Sequence, residues 1–340
     1  MRPPSWSHTT TGRVDPPWAI KPEIVLEGGN VALGSSLADP SVESLVTLTT
    51  GHNVLGAPLA HINATSEASA RAAHMAAVIW KDNPSLRPET VRGLLVHSAS
   101  WTSAMRTQFP MPDRLYACGY GVPDVEWARA CTDDRATVIV EDEMPNVVAL
   151  QRPRKKVPKR ATTATTEDVD ARWMKLFRMP MPDAKLTAKP DADVELRVTL
   201  SYLPEPSTYR ATVEYGLKLK WDMQGPLESE GEFIERVNDL LRPRDADNKR
   251  VKKQHKSSFD WDVRTQRRSR GTVQSDRWSG RASMLVGSKL VAVVPVLGWW
   301  DRRADMKHRS QPFSLIVSVF AEDIYTEVEA ALRVTIPIEV

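Results

Sequence analysis

Cysteine is scarce in this chain. Cys118 and Cys131 are the only two in 340 residues, too few for a disulfide framework and typical of a reducing compartment. Long apolar runs are also missing. No window approaches the roughly 18 unbroken apolar residues of a membrane span. The opening MRPPSWSHTTTGR lacks the apolar stretch of a signal peptide. Together these absences point to a soluble cytoplasmic protein. No sign of charge dominates: the formal net charge is +3, too small for a whole-molecule field that would gather nucleic acid or a membrane surface. There is no cysteine–histidine cluster with zinc spacing. Asp133-Asp134 and Glu141-Asp142-Glu143 do not have the spacing of a calcium loop. No metal or cofactor is implied.

What is present is a globular composition, 41% apolar and 26% charged, in a chain long enough for two domains. Its character changes near residue 134. Residues 1–134 alternate short apolar runs with helical patterns, an α/β signature. Glu23–Leu26 and Ser44–Thr49 read as short strands ending at Gly28-Gly29 and Gly51. A helix is expected over about Ser66–Trp80, with Ala68, Ala72, Met75 and Ile79 on one face and Ala70, Ala73, Ala77 and Trp80 on another. Apolar residues around so much of the circumference predict a buried helix. A second helix follows Ser85, with Pro88 suited to its first turn and Val91, Leu94, Leu95 and Ser98 as its core stripe.

Residues 135–170 read as a hairpin, ATVIVED and NVVALQ about Met144-Pro145, followed by a basic linker, Arg152–Arg160. Residues 171–340 alternate with period two. Val194, Leu196, Val198, Leu200 and Tyr202 interleave with polar residues, as do Tyr215, Leu217, Leu219 and Trp221, the pattern of strands with one buried face. Lys289–Trp300 and Phe313–Phe320 add strands, Glu232–Leu241 a helix, and Arg242–Lys256 a basic loop. The expected fold is therefore an α/β portion followed by an all-β sandwich of jelly-roll type.

The chemistry-bearing stretch is His61–Ala99. It enters its alanine-rich helix through Thr65, Ser66 and Glu67. The first N–H groups of a helix have no intrahelical partner, and that end carries partial positive charge. A serine there can react beside donors already aimed at a developing oxyanion. Taken alone, Thr65-Ser66 is an ordinary helix cap. The wider stretch resembles the subtilisin-like serine proteases, the subtilases. Lys21-Pro22-Glu23-Ile24-Val25 matches that family's K-P-D/E-I-V segment. Ala64-Thr65-Ser66-Glu67-Ala68-Ser69-Ala70 matches its nucleophile motif G-T-S-x-A-x-P. Asn83–Leu95 matches N-P-x-L-x-P-x-x-V/L-R/K-x-L-L, and Gly119-Tyr120-Gly121 the later G-x-G turn.

The resemblance implies an incomplete subtilisin-like α/β portion, a polypeptide substrate and Ser66 as nucleophile. Segments of the β-rich half, DADVELRVTLSY, GTVQSDRWSGRA and VAVVPVLGWW, resemble the extension of a bacterial subtilase group associated with anti-phage defence. In that group an AAA-type ATPase is the implied partner. The family's Asp, His and oxyanion Asn precede its K-P-D/E-I-V segment, which here begins at Lys21. The expectation is a C-terminal portion of a longer product, or a truncated relative that needs a partner and is inactive alone. His52 and His61 are the histidines that precede Ser66 closely. Neither they nor His8, His74, His97, His255 and His308 has the family's base context. Asn30, Asn53 and Asn63 are poor oxyanion donors. Ala64 and Ala70 replace the motif's glycine and proline.

Two further readings accompany the enzyme. One is a non-catalytic scaffold that binds a protein through the β-sandwich. The other, less favoured, is nucleic-acid contact through the basic loops. Asp276-Arg277-Trp278 and Trp299-Trp300-Asp301-Arg302-Arg303 read first as tryptophans packed in the sandwich, and second as a recognition surface.

Overall fold

In the computed structural model, short strands and helices fill the chain as far as Ala130, and antiparallel sheets dominate from Cys131 onward. The two stretches are separate compact units. The structure describes residues 20–321 except 31, 34–37, 40–41, 134–135, 147–173, 182, 208–214, 242–258 and 288.

The first unit begins with β1 (Ala32–Leu33) paired to β2 (Ala38–Asp39), then the antiparallel hairpin β3 (Thr47–Asn53) and β4 (Ala57–Ile62). Helices α1 (Thr65–Asp82), α2 (Pro88–Ser98), α3 (Ser103–Gln108), α4 (Asp113–Cys118) and α5 (Val125–Asp133) follow. Glu23–Leu26 is not a ladder strand: the chain bends at Glu23 and Ile24. Val25 N–H donates to the Gly121 carbonyl at 2.9 Å, and Tyr120 N–H to that of Glu23 at 2.8 Å. The strand expected at Ser44–Thr49 starts later. A 3-10 turn occupies Glu43–Leu45, and β3 runs on through Gly51 to a bulge before Asn53.

Pro88 opens α2 at its first helical position, as its fixed φ and missing N–H favour. Glu89–Val91 and Gly93–Ser98 are buried. The burial expected of the alanine helix belongs instead to α2. In α1 only Ile79 is buried, while Ala70, Ala73, Ala77 and Trp80 are exposed. Small apolar side chains permitted close packing there, but no described residue of the first unit covers that face.

The second unit has two antiparallel sheets. Its elements are β5 (Thr137–Pro145), β6 (Lys175–Met179), α6 (Asp183–Ala188), β7 (Asp193–Tyr202), β8 (Leu217–Met223), α7 (Glu230–Leu241), α8 (Thr265–Arg268), β9 (Val273–Arg281), β10 (Lys289–Leu297) and β11 (Ser310–Ala321). The sheets are ordered β5-β11-β7-β9 and β6-β10-β8. Their facing side chains, among them Val198, Leu200, Leu219, Trp221, Val291, Val293, Leu315 and Val317, form one buried cluster. That is a β-sandwich core. Phe233 and Val237 of α7 cover Leu290, Ala292 and Val294 on the other face of β10.

Three expectations change here. β5 pairs with β11, and the returning strand expected at Asn146–Gln151 lies almost wholly outside the described residues. β7 buries both faces: Arg197, Thr199 and Ser201 are as enclosed as Val198 and Leu200. β9 was hidden in the sequence by its polar residues. Gln274 and Asp276 are buried because their side chains bond backbone, Gln274 Nε2 donating to the Leu219 carbonyl at 2.6 Å and Asp276 accepting from Val263 N–H at 2.8 Å. The basic runs at 152–160 and 242–256 lie outside the described residues. No helix among the described residues is long and apolar enough to cross a membrane.

Candidate active site

The four motif elements converge in the first unit. Glu23 of the first and Arg92 of the third form an ion pair. Arg92 Nη2 donates to Glu23 Oε1, and Arg92 Nε to Oε2 at 3.2 Å. Lys21 Nζ adds a bond to Oε1 at 2.7 Å. Burial alone would raise the Glu23 carboxyl. The charges and hydrogen bonds of Arg92 and Lys21 outweigh it and hold the group below the ordinary carboxylate value. The Gly119-Tyr120-Gly121 turn needs its glycines. At Gly119 φ is +55°, and a Cβ would lie 2.3 Å from the Glu23 carbonyl oxygen. At Gly121 φ is +107°, and a Cβ would lie 2.2 Å from that of Ser100. The turn thus stitches the segment at Glu23–Val25 to the chain leaving α2, where Ser100 and Val122 exchange backbone bonds at 2.9 and 3.0 Å.

The Gly28-Gly29 turn lies against the entry to α1. A Cβ on Gly28 would meet the Ala64 carbonyl oxygen at 2.7 Å, and one on Gly29 would meet Asn63 Oδ1 at 2.0 Å. Arg71 joins the same two segments, with Nε 2.9 Å from Glu67 and Nη1 3.5 Å from Glu27. Ala64 precedes the helix in extended conformation and supplies no side-chain cap. Its carbonyl accepts Glu67 N–H at 3.1 Å, and Ser69 Oγ donates back to the Thr65 carbonyl at 2.9 Å.

Ser66 is the second residue of α1 and is exposed. Among the described residues no hydrogen bond occupies its hydroxyl or its N–H. A free hydroxyl therefore stands at the positive end of an 18-residue helix, beside an orphan donor. That is the arrangement a developing oxyanion requires.

The histidines do not complete it. His52 and His61 are exposed on the β3–β4 hairpin, and neither bonds Ser66. His74 is exposed on α1. His97 is fully buried in α2, its ring 5.3 Å from that of Trp127. His308 is exposed, and His8 and His255 lie outside the described residues. Asn53 closes the hairpin turn, its Oδ1 accepting Gly56 N–H at 3.0 Å, while Asn30 N–H donates to the Leu45 carbonyl at 2.6 Å. Among the described residues no cluster of His, Cys, Asp and Glu is arranged to hold a metal ion.

The second unit holds a buried ionic chain. Arg268, fully enclosed, donates to Asp276 at 2.8 Å, approaches Asp222 to 3.8 Å and lies 3.6 Å from the centre of the Trp221 ring. Arg236 binds Asp222 and Glu228, each at 2.7 Å. Burial lowers the Arg236 pKa, but these two carboxylates raise it further, leaving it above the ordinary arginine value. The Asp276 carboxyl is pushed up by burial, which outweighs the pull of Arg268 and the backbone donors. Trp278 and Trp300 are buried in the sandwich, as the packing reading expected. Only Asp222, between Trp221 and Met223 of β8, carries a sequence signal; Arg236 and Arg268 lie on α7 and α8, and Asp276 in the polar strand β9.

No curated protein matches the chain. The model of the subtilase family, peptidase S8, matches residues 4–121, about a third of the sequence, and this segment, which contains all four motif elements and Ser66, is similar to the subtilisin-like serine proteases.

Proposed function

We propose that the first unit carries the nucleophile of a subtilisin-like serine endopeptidase. The observation that supports this most directly is the exposed, unbonded Ser66 hydroxyl at the mouth of an uncapped helix. Its Oγ attacks the scissile carbonyl of a polypeptide and passes its proton to a base. The Ser66 N–H receives the oxyanion, and the leaving amine takes the proton back. The acyl-enzyme on Ser66 is then hydrolysed by water. No described residue beside Ser66 serves as the base, its orienting acid or a further oxyanion donor, and the reaction requires polypeptide other than the described residues to supply them. The uncovered alanine face of α1 fits such a missing neighbour. Without them turnover falls by about a million-fold in the subtilisin case, so the chain alone hydrolyses peptides near background.

The likeness of the second unit's strands to the anti-phage-associated subtilase extension is what supports a role in bacterial defence, in the cytoplasm and beside an AAA-type ATPase. The test is fluorophosphonate labelling of the chain and of Ser66→Ala, each with the native upstream segment added. Labelling of the parent alone is expected, and equal labelling of both rejects Ser66. A second reading is favoured by the lack, among the described residues, of any histidine bonded to Ser66: the chain is a scaffold that binds a protein through its β-sandwich. Ser66→Ala then leaves phage protection intact, whereas the protease reading requires its loss.

A further inference from the structure

Glu67 is the third residue of α1 and follows Ser66 directly. Side chains on a helix lean toward its N-terminus. A glutamate at this position ordinarily folds back and takes up orphan N–H groups of the first turn, as in the capping box. In α1 it is turned the other way. Glu67 Oε1 accepts Arg71 Nε at 2.9 Å, four residues further along the helix. Arg71 is steadied by a second carboxylate, its Nη1 standing 3.5 Å from Glu27 Oε2. The Glu67 side chain is 16% exposed and that of Glu27 72%, so the contact with Glu67 is both shorter and less screened by solvent, and it sets where the guanidinium lies.

This arrangement bears on the helix mouth in two ways. Ala64 supplies no side-chain cap, and among the described residues no hydrogen bond occupies the Ser66 N–H. A Glu67 carboxylate without Arg71 would find orphan donors within its own turn and compete with an oxyanion for them. Even unbonded, it would set a bare negative charge beside the place where negative charge develops. Bound to Arg71, its Oε1 is engaged and its charge is balanced.

We infer that Arg71 is a positioning residue for the Ser66 reaction: it holds the Glu67 carboxylate off the mouth of α1 and leaves the Ser66 N–H for the oxyanion. The inference rests on the reading of Ser66 as nucleophile and adds to it an inhibitory group, Glu67, that Arg71 keeps engaged. Glu27, reaching Arg71 from the segment before the Gly28-Gly29 turn, is the outer support.

Arg71→Met removes the charge and keeps an unbranched side chain at a partly exposed position. In the full-length protein, amide hydrogen exchange at Thr65 and Ser66 should slow by about two- to fivefold, the factor a carboxylate gains beside a helix N-terminus. With imidazole supplied as base, fluorophosphonate modification of Ser66 should slow by a similar factor. Adding Glu67→Ala to Arg71→Met should restore both rates to at least the parent values. A merely structural role for Arg71 has the opposite sign: a loosened helix end exchanges faster, and removing Glu67 as well does not repair it. Unchanged or faster exchange in Arg71→Met, or a double variant still modified as slowly as the single one, overturns the inference. If the parent is not modified at all while Arg71→Met still slows exchange, the protease reading falls and the hold of Arg71 on Glu67 stands.

Discussion

Replacing Gly119 by alanine should unfold the first unit far more readily than its size suggests. Two costs add. The residue sits at φ +55°, where a Cβ costs about 1–2 kcal/mol. The new methyl would also stand 2.3 Å from the Glu23 oxygen and 2.4 Å from the Pro22 oxygen. Both are backbone atoms that cannot rotate away, and forced overlap of this kind costs about 1–3 kcal/mol. The sum is about 2–5 kcal/mol. With a urea slope of roughly 2 kcal/mol per molar, the midpoint falls by about 1–2 M. Gly287→Ala is the matched control. Its φ is +86° but nothing lies within 4 Å of the added carbon, so only the conformational cost of about 1–2 kcal/mol applies, in the second unit. Urea titration followed by hydrogen exchange resolves each unit. Equal losses at the two sites would refute the claim that the G-x-G turn is fixed by close approach to the Lys21–Val25 segment.

Other expectations follow from the same contacts. Glu23→Gln should cost the first unit about 1–3 kcal/mol at neutral pH, because Arg92 loses its charged partner. Since the Glu23 carboxyl titrates below its ordinary value of 4.5, its stabilisation is present above that value and disappears as pH falls through the depressed one. Acid titration of stability should therefore be flatter in Glu23→Gln than in the parent. Arg268→Met should destabilise the second unit by about 3–5 kcal/mol, as it strands Asp276 without its ionic partner. Replacing Asp276 as well, by Leu, should recover part of that loss in denaturant titrations. Ser66→Ala, at an exposed site with no bonded partner, should shift the midpoint by less than about 0.5 kcal/mol.

The sequence made the motif order legible, and the structure brings those elements together through contacts that are visible only in three dimensions. Pro88 located α2 because a proline has few places to sit in a helix. The stripe Val91, Leu94, Leu95 and Ser98 marked its inner face, and all four are buried. Alanine misled the reading of α1. A run of small residues says how closely another element can approach, and it cannot say whether one is there. The strands β7 and β8 announced themselves by alternation, β10 and β11 by apolar runs. β9 did not, since its buried Ser275, Asp276 and the Gln274 Nε2 find partners in other segments of the chain. Arg268 and Arg236 were invisible for the same reason. The pairing of Glu23 with Arg92 spans 69 positions, and no local pattern encodes it. At the site, helix entry and exposure of Ser66 agree with the local signal. The position of a histidine relative to it is a property of the whole fold.

The central claim is that Ser66 stands ready beside one oxyanion donor and that a base is the first of the groups it lacks. Imidazole supplied in solution can take the place of that base. Under a fluorophosphonate probe, the account predicts slow modification of the chain alone and a rate that climbs in proportion to imidazole, with the adduct mapped by mass spectrometry to Ser66 and absent in Ser66→Ala. If Ser66 and Ser69 were modified equally, or imidazole left the rate unchanged, the helix tip would not be a prepared nucleophile site.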